Sequence, residues 1–489
     1  MTYIWASKIG CALDCDLRDG SNKYQGGSAT DDGLRINTAM ASATAANPIT
    51  LIIDGSALIS GLFLPAGGYW SIAGLGCGTG FFVKTGTNND GIHNGSSEVV
   101  SIDTGAVPAP ALRGRDVTLS NFTLNGNGAN GIDGDSTSGI RQGNDSAWFF
   151  GISLINLDNI TIQNLVVVNT PTYHIRFCNV GAVTVSGCVL QGVGDNTDGL
   201  HFDGPANDIL ISGCSFAMGD DSIALNCPEG YSGNISRVTV TNCTFNSLSL
   251  MRLYTTTGGL QFTIDTVSVS NCTGTLTETA FFIGLFGGSL PNAVTGLTIS
   301  DCNLTAPVLL GVTECFGSVM LTNVDFTPIN GSWIASEPNH VPALLRPPPA
   351  FAGQTFIGSS LMLQNCQILR NRNMDVAGLI LENNSAINYL EIDGFSLQNA
   401  GSYAKVPFLI DIEQGSIGQL AINSLQSQNI VAPVSLGGFS RVGLVSGTGV
   451  LATGWEFPDA VMANGVPYIS ATTGLPSVKI NGVVTPFPS

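Results

Sequence analysis

Asp198, Asp220 and Asp221 are the residues whose type and spacing in this 489-residue chain could do chemistry. They sit in two short motifs, Asn196-Thr197-Asp198-Gly199 and Gly219-Asp220-Asp221. Cleaving a glycosidic bond with inversion needs one carboxylic acid to protonate the leaving oxygen. It also needs a carboxylate to activate water on the opposite face of the sugar, about 6.5–9.5 Å away. Three crowded carboxylates repel one another, which raises the pKa of at least one and keeps a transferable proton on it. Taken singly, each aspartate is better read as a turn residue, because Asp and Asn favour turns. The case for chemistry rests on the joint pattern.

The elements that must position these residues are written in a repeat. A short phrase recurs eleven times: hydrophobic, polar, hydrophobic, polar, small or Asn, then often Cys. Val183–Cys188, Ile209–Cys214, Val238–Cys243, Val267–Cys272, Leu297–Cys302 and Leu361–Cys366 follow it closely, and looser copies begin at Val117, Ile160, Val319, Leu390 and Leu420. The six cysteines are 26, 29, 29, 30 and 64 residues apart. Strict alternation marks a strand with one buried face, and a period of this length marks stacked identical units. A coil of 22–30 residues holds about three short strands and no crossover helix. The repeat therefore predicts an all-β, single-stranded, right-handed parallel β-helix, with neighbouring coils about 4.8 Å apart. The cysteine column reads as a packing ladder of reduced thiols.

Aligning consecutive coils on their inward residues pairs Ile175/Phe177 with Leu200/Phe202, Ile223/Leu225 and Met251/Leu253. Asp198, Asp221 and Ser249 then fall in one column, with His201, Ala224 and Arg252 facing outward in the next. The preceding coil supplies Tyr173, His174 and Arg176. The expected site has Asp198, Asp220 and Asp221 on one solvent-accessible outer groove, flanked by His201, Arg252, Arg176, His174 and Tyr173 as substrate-binding residues. Neighbours in a straight strand point to opposite faces, so Asp220 and Asp221 require a bend, which Gly219 can supply.

Composition sets outer bounds. A net charge of −18 and a pI near 4.3 disfavour nucleic acid and anionic membranes as partners. No apolar run approaches the length of about 18 residues needed to span a bilayer, so no membrane insertion is expected. The first residues lack a clear signal peptide, and the expected location is extracellular. The organisation expected is an arm over 1–30, described as irregular, then a β-helix over 31–453 with a capping helix near 31–44, then a small β tail over 454–489. A Pro-rich stretch from His340 to Pro349 reads as a long loop, and Cys11 and Cys15 could pair. Four histidines give no zinc spacing, and neither a metal nor a cofactor is expected.

The two Asp motifs, with Asn169-Thr170-Pro171-Thr172-Tyr173-His174-Ile175 upstream, resemble the polygalacturonase family of glycoside hydrolases over about residues 155–226. Thr30-Asp31-Asp32 and the helix after it resemble the broader pectate-lyase-like superfamily, which includes phage tail proteins. The resemblance implies Asp220 as general acid, with Asp198 and Asp221 holding the attacking water. Two departures stand out. The family's Gly-His-Gly position falls on Leu248-Ser249-Leu250, and its Arg-Ile-Lys position on Phe282-Ile283-Gly284. The histidine is thus absent, and so is the pair that would grip a galacturonate carboxylate, which puts pectin in doubt; Arg252 is the candidate replacement for the arginine and His201 for the histidine.

Three readings follow. One is an inverting hydrolase acting on a polysaccharide or oligosaccharide, monomeric if secreted. The second is a tailspike-like receptor-binding or depolymerase protein, homotrimeric. The third is a non-catalytic glycan-binding β-helix.

Overall fold

The computed structural model describes residues 1–95, 108–128, 140, 148–257, 259–288, 293–329, 343–346, 355–370, 377–381, 385–399, 406–412, 415–427, 430–436, 441–447, 456–457 and most of 461–487. It divides into two units, Met1–Asp265 and Thr266–Ser489, each made of coils of a parallel β-helix.

In the first unit, one column of parallel strands runs Thr2–Trp5, Ile49–Ile53, Gly68–Gly74, Gly114–Ser120, Ile152–Gln163, Ile175–Ser186, Leu200–Ser212 and Ile235–Thr241. A second column runs Ser56–Ile59, Gly80–Val83, Thr123–Asn125, Val166–Val168, Val189–Gln191, Ser215–Ala217 and Thr244–Ser247. A third begins with Leu62–Leu64 and Ile92–Asn94. It continues through the first residues of the three long strands to Asp221–Asn226 and Ser249–Tyr254. This third column carries the site.

The repeat phrase explains the stacking. Val183, Ile209 and Val238 are in register, as are Val185, Ile211 and Val240, and all six are buried. The residue before each cysteine is Gly187, Gly213 or Asn242, and each has φ near +60° (62°, 61° and 55°). A left-handed backbone at that corner selects Gly or Asn, which is why the fifth position of the phrase is small or Asn. Aromatic pairs stack along the axis: Phe177 on Phe202 at 4.5 Å and Phe216 on Phe245 at 5.2 Å. The ladder cysteines are buried, and none of the twelve cysteines is in a disulfide, Cys11 and Cys15 included.

The second unit repeats the plan. Val294–Ser300, Phe316–Thr322, Ile357–Gln364, Ser385–Asn399, Gly415–Ser427 and Arg441–Ser446 form one parallel column. Cys272, Cys302 and Cys366 are buried there. The last described strands, Pro467–Ser470, Pro476–Ile480 and Val483–Pro486, pair antiparallel.

Three details differ from the sequence reading. The first 30 residues are not wholly irregular, because Thr2–Trp5 joins the sheet beside Ile49–Ile53. The helix is shorter, Gly33–Met40. The Asp32 carboxylate ahead of it accepts the N–H groups of Ala12 and Leu13, while Asp31 accepts that of Gly33. Ile36 and Met40 are fully buried, and Asn37 is bonded to the backbone of Gly61 and Phe63. Within the Pro-rich stretch, Ala343–Arg346 is a buried strand paired with Val308–Glu314 and Ala377–Leu381. Its apolar Ala-Leu-Leu continues the core column, and 340–342 and 347–349 lie outside the described residues.

Candidate active site

The register expected from the repeat is the register observed. Ile175, Leu200, Ile223 and Met251 stack in one inward column, and Phe177, Phe202, Leu225 and Leu253 in another. Arg176, His201, Ala224 and Arg252 stack between them. Asp221 pairs with Ser249, and consecutive coils are tied by His174 N–H to the Asp198 carbonyl at 2.8 Å and Gly199 N–H to the Asp221 carbonyl at 2.9 Å. A Cβ on Gly219 would lie 2.3 Å from the Gly194 carbonyl oxygen, so only glycine admits the bend that precedes Asp220 and Asp221. The bend turns both side chains to one place: one carboxylate oxygen each from Asp198, Asp220 and Asp221 lies within 4.8 Å of the others. This is tighter than the separation of about 6.5–9.5 Å anticipated for a lone acid–base pair. Two of the three are sequence neighbours on one bend, and the third sits just one coil away.

The three carboxylates differ in their partners. Asp221 accepts from Arg252 Nε at 2.5 Å and from the Ser249 hydroxyl. Asp198 accepts from His201 Nδ1 at 2.6 Å. Asp220 accepts, among the described residues, only the Asn196 backbone N–H, at 2.9 Å. Burial lifts Asp198 to about 6, against the opposing pull of its His201 hydrogen bond. Burial, reinforced by the charges of Asp221 and Asp198, pushes Asp220 well above the usual carboxylate range. The carboxyl with no cation directly on it is therefore the one that keeps its proton.

The flanking residues are less open than expected. Asp198 and Asp221 are 3 % exposed and His201 is fully buried, whereas Asp220 and Arg252 retain partial exposure. Tyr173, His174 and Arg176 face packed protein rather than solvent, each already engaged. The Tyr173 ring stacks on His201 at 3.7 Å and on Phe150 at 5.2 Å, with Trp148 at 5.8 Å. His174 Nε2 donates to the Gln191 carbonyl at 2.8 Å, and burial lowers its pKa to about 4, so it is neutral. Arg176 Nε donates to Asp203 at 2.7 Å, and its guanidinium lies over the Phe150 ring.

Two further acidic residues complete the site; alternation puts Asp203 on the His201 face of its strand, whereas nothing in the strand phrase points to Glu229. Asp203 lies two residues past His201, and Glu229 lies in the turn Cys227-Pro228-Glu229-Gly230; both reach His201 Nε2, at 3.0 Å and 2.7 Å. Neither acidic grouping is read as a metal site. Both imidazole nitrogens are engaged, and Arg252 and His201 already bring positive charge to Asp221 and Asp198.

Fold and site together define a parallel β-helix bearing a cluster of three aspartates. Residues 116–304, which contain every residue of that cluster, match the family described as glycosyl hydrolases family 28. The chain is 29% identical over 181 residues to an endo-polygalacturonase of Sclerotinia sclerotiorum, covering 35% of this chain and 43% of that protein. It is 28% identical over 233 residues to endopolygalacturonase A of Aspergillus niger, covering 40% and 61%. The matched stretches thus span about half of these relatives' length. Among solved structures, a double mutant of the tailspike protein of E. coli bacteriophage HK620 superposes with a TM-score of 0.59 at 11% identity, covering 91% of this chain and 76% of that one. PfbA, a surface adhesin of Streptococcus pneumoniae, superposes with a TM-score of 0.51 at 13% identity, covering both chains fully. These two likenesses are of fold.

Proposed function

We propose that this protein hydrolyses glycosidic bonds of a polysaccharide, with inversion, at the Asp198–Asp220–Asp221 cluster. The observation that carries the reading is the unequal pairing of three carboxylates inside the family 28 segment. Asp220 is the general acid. Asp198 and Asp221, each with a cation bonded to it, hold the attacking water. A gap of up to 4.8 Å between their oxygens is spanned by one water making hydrogen bonds of about 2.8 Å to both. An Arg252-bound Asp221 is a weakened nucleophile, which supports water attack over a covalent intermediate. Tyr173, His174 and Arg176 brace the site from behind.

The substrate favoured is a neutral glycan. The cations beside the cluster are already committed, Arg252 to Asp221, Arg176 to Asp203 and His201 to three carboxylates, so an added sugar carboxylate would meet a net acidic surface. The test is reducing-end release from a panel of neutral polysaccharides and polygalacturonate. Wild type is expected to cleave a neutral chain faster than polygalacturonate. Asp220→Asn keeps the shape and removes the proton, and is expected to lose about 10²–10⁴ in rate while still binding the glycan. An Asp220→Asn protein as active as wild type contradicts the assignment. Binding without cleavage by wild type favours a glycan-binding protein.

A further inference from the structure

Behind Asp198 the structure builds a feature that glycosidic cleavage by three aspartates does not call for. His201 is fully buried and held on every side. Its Nδ1 faces Asp198 Oδ2 at 2.6 Å; its Nε2 faces Glu229 Oε2 at 2.7 Å and Asp203 Oδ1 at 3.0 Å; its face is covered by Tyr173, nearly coplanar at 6°. A neutral imidazole has one N–H and one lone pair. With carboxylates at both nitrogens, either neutral tautomer points a lone pair at a carboxylate. Only the imidazolium donates to both.

Glu229 is set in place with care. Asn226 Nδ2 donates to its other oxygen at 3.1 Å, and its backbone N–H bonds the Asn226 carbonyl at 3.2 Å. The next residue, Gly230, has φ +63°, and a Cβ there would lie 2.5 Å from Cys178 Sγ and 2.8 Å from Asp203 Cβ, so glycine alone lets the turn approach. Asp203 is in turn neutralised by Arg176.

We propose that Glu229 is a positioning residue: from its turn it clamps His201 as a permanent cation whose Nδ1–H is aimed at Asp198, holding that carboxylate ionised and oriented. The second half of this role rests on the hydrolase reading above; the clamp itself does not. The charged and titratable groups facing His201 are Asp198, Asp203, Glu229 and Tyr173, with Arg176 beyond Asp203, and Asp221 and Arg252 beyond Asp198. Burial opposes the charged ring, but Glu229, Asp198 and Asp203 together outweigh it and hold its pKa well above the ordinary value.

The experiment is imidazole nitrogen NMR of the full chain, with the His201 signals assigned by their loss in His201→Asn. Wild type is expected to show both His201 nitrogens protonated at pH 7, above the range in which a free imidazole loses its proton. In Glu229→Gln, which keeps the acceptor and removes the charge, His201 is expected to lose its proton at a lower pH by about one unit or more. A neutral His201 in wild type at pH 7, or an unchanged titration in Glu229→Gln, overturns the clamp. Where cleavage is measured, the alkaline limb of kcat in Glu229→Gln, where His201 loses its proton, is expected to move to lower pH by about one unit, with KM changing less. A cationic His201 that responds to Glu229→Gln in a protein that cleaves no glycan supports the clamp and overturns only the hydrolase reading.

Discussion

At the scale of single residues, three aspartates of one chemical type are made different by what touches them. Burial acts on Asp198 and Asp220 alike, and the difference between them is His201, bonded to the first and not to the second. The two aspartate motifs were legible because their residues are written in sequence. Glu229 was not, because a carboxylate that reaches a site by coming over it from a turn leaves no mark in strand alternation; Asp203, on the same strand face as His201, lies within reach of that counting. The raised pKa of Asp198 has a consequence for stability. Its folded value, about 6, exceeds the unfolded carboxylate value near 3.9, so the folded state binds the proton more tightly. The stability it contributes is present below about pH 4 and lost as pH rises through about 6. His201, whose folded pKa is raised above the unfolded value near 6.5, adds a loss of the same sign that begins only near the top of that window. Denaturant unfolding of wild type is expected to lose on the order of 2 kcal/mol more than Asp198→Asn between pH 4 and pH 6.5. A wild type that gains stability relative to Asp198→Asn over that range contradicts the shift.

At the scale of elements, the repeat phrase dictated a five-residue strand, a left-handed corner and a buried thiol, and the coils follow it. The strand register across the site, Arg176 with His201, Ala224 and Arg252, follows from counting along that phrase. What counting cannot give is how a column is covered. The Arg176–His201 column points away from the core, as alternation requires, yet the Glu229 turn and the Tyr173 ring close over it. The ladder itself is checkable. Cys188, Cys214, Cys243, Cys272, Cys302 and Cys366 are buried and in no disulfide, and Cys77 alone of the twelve is exposed. Thiol titration is expected to find about one reactive group in the native protein and twelve after denaturation without reductant. Fewer than twelve after denaturation would reveal disulfides and break the packing account.

At the scale of the whole molecule, a solenoid needs no single limiting core, so the length of the chain poses no obstacle to two β-helical units. The fold class was legible because periodicity is a property of the whole sequence. The strand in the Pro-rich stretch was not, because four residues between prolines are too few to show a period. The acidic composition falls partly on the site itself, where five carboxyl groups, Asp198, Asp203, Asp220, Asp221 and Glu229, gather around three cations, Arg176, His201 and Arg252. That imbalance is what a proton-holding Asp220 relieves. The most direct test of the account is the anomeric configuration of the first-formed product, followed by proton NMR in the early minutes of cleavage. Water held by Asp198 and Asp221 and a proton delivered by Asp220 yield the inverted anomer. A product that retains the configuration of the bond cleaved would mean that one of these carboxylates attacks the sugar directly, and would contradict the account.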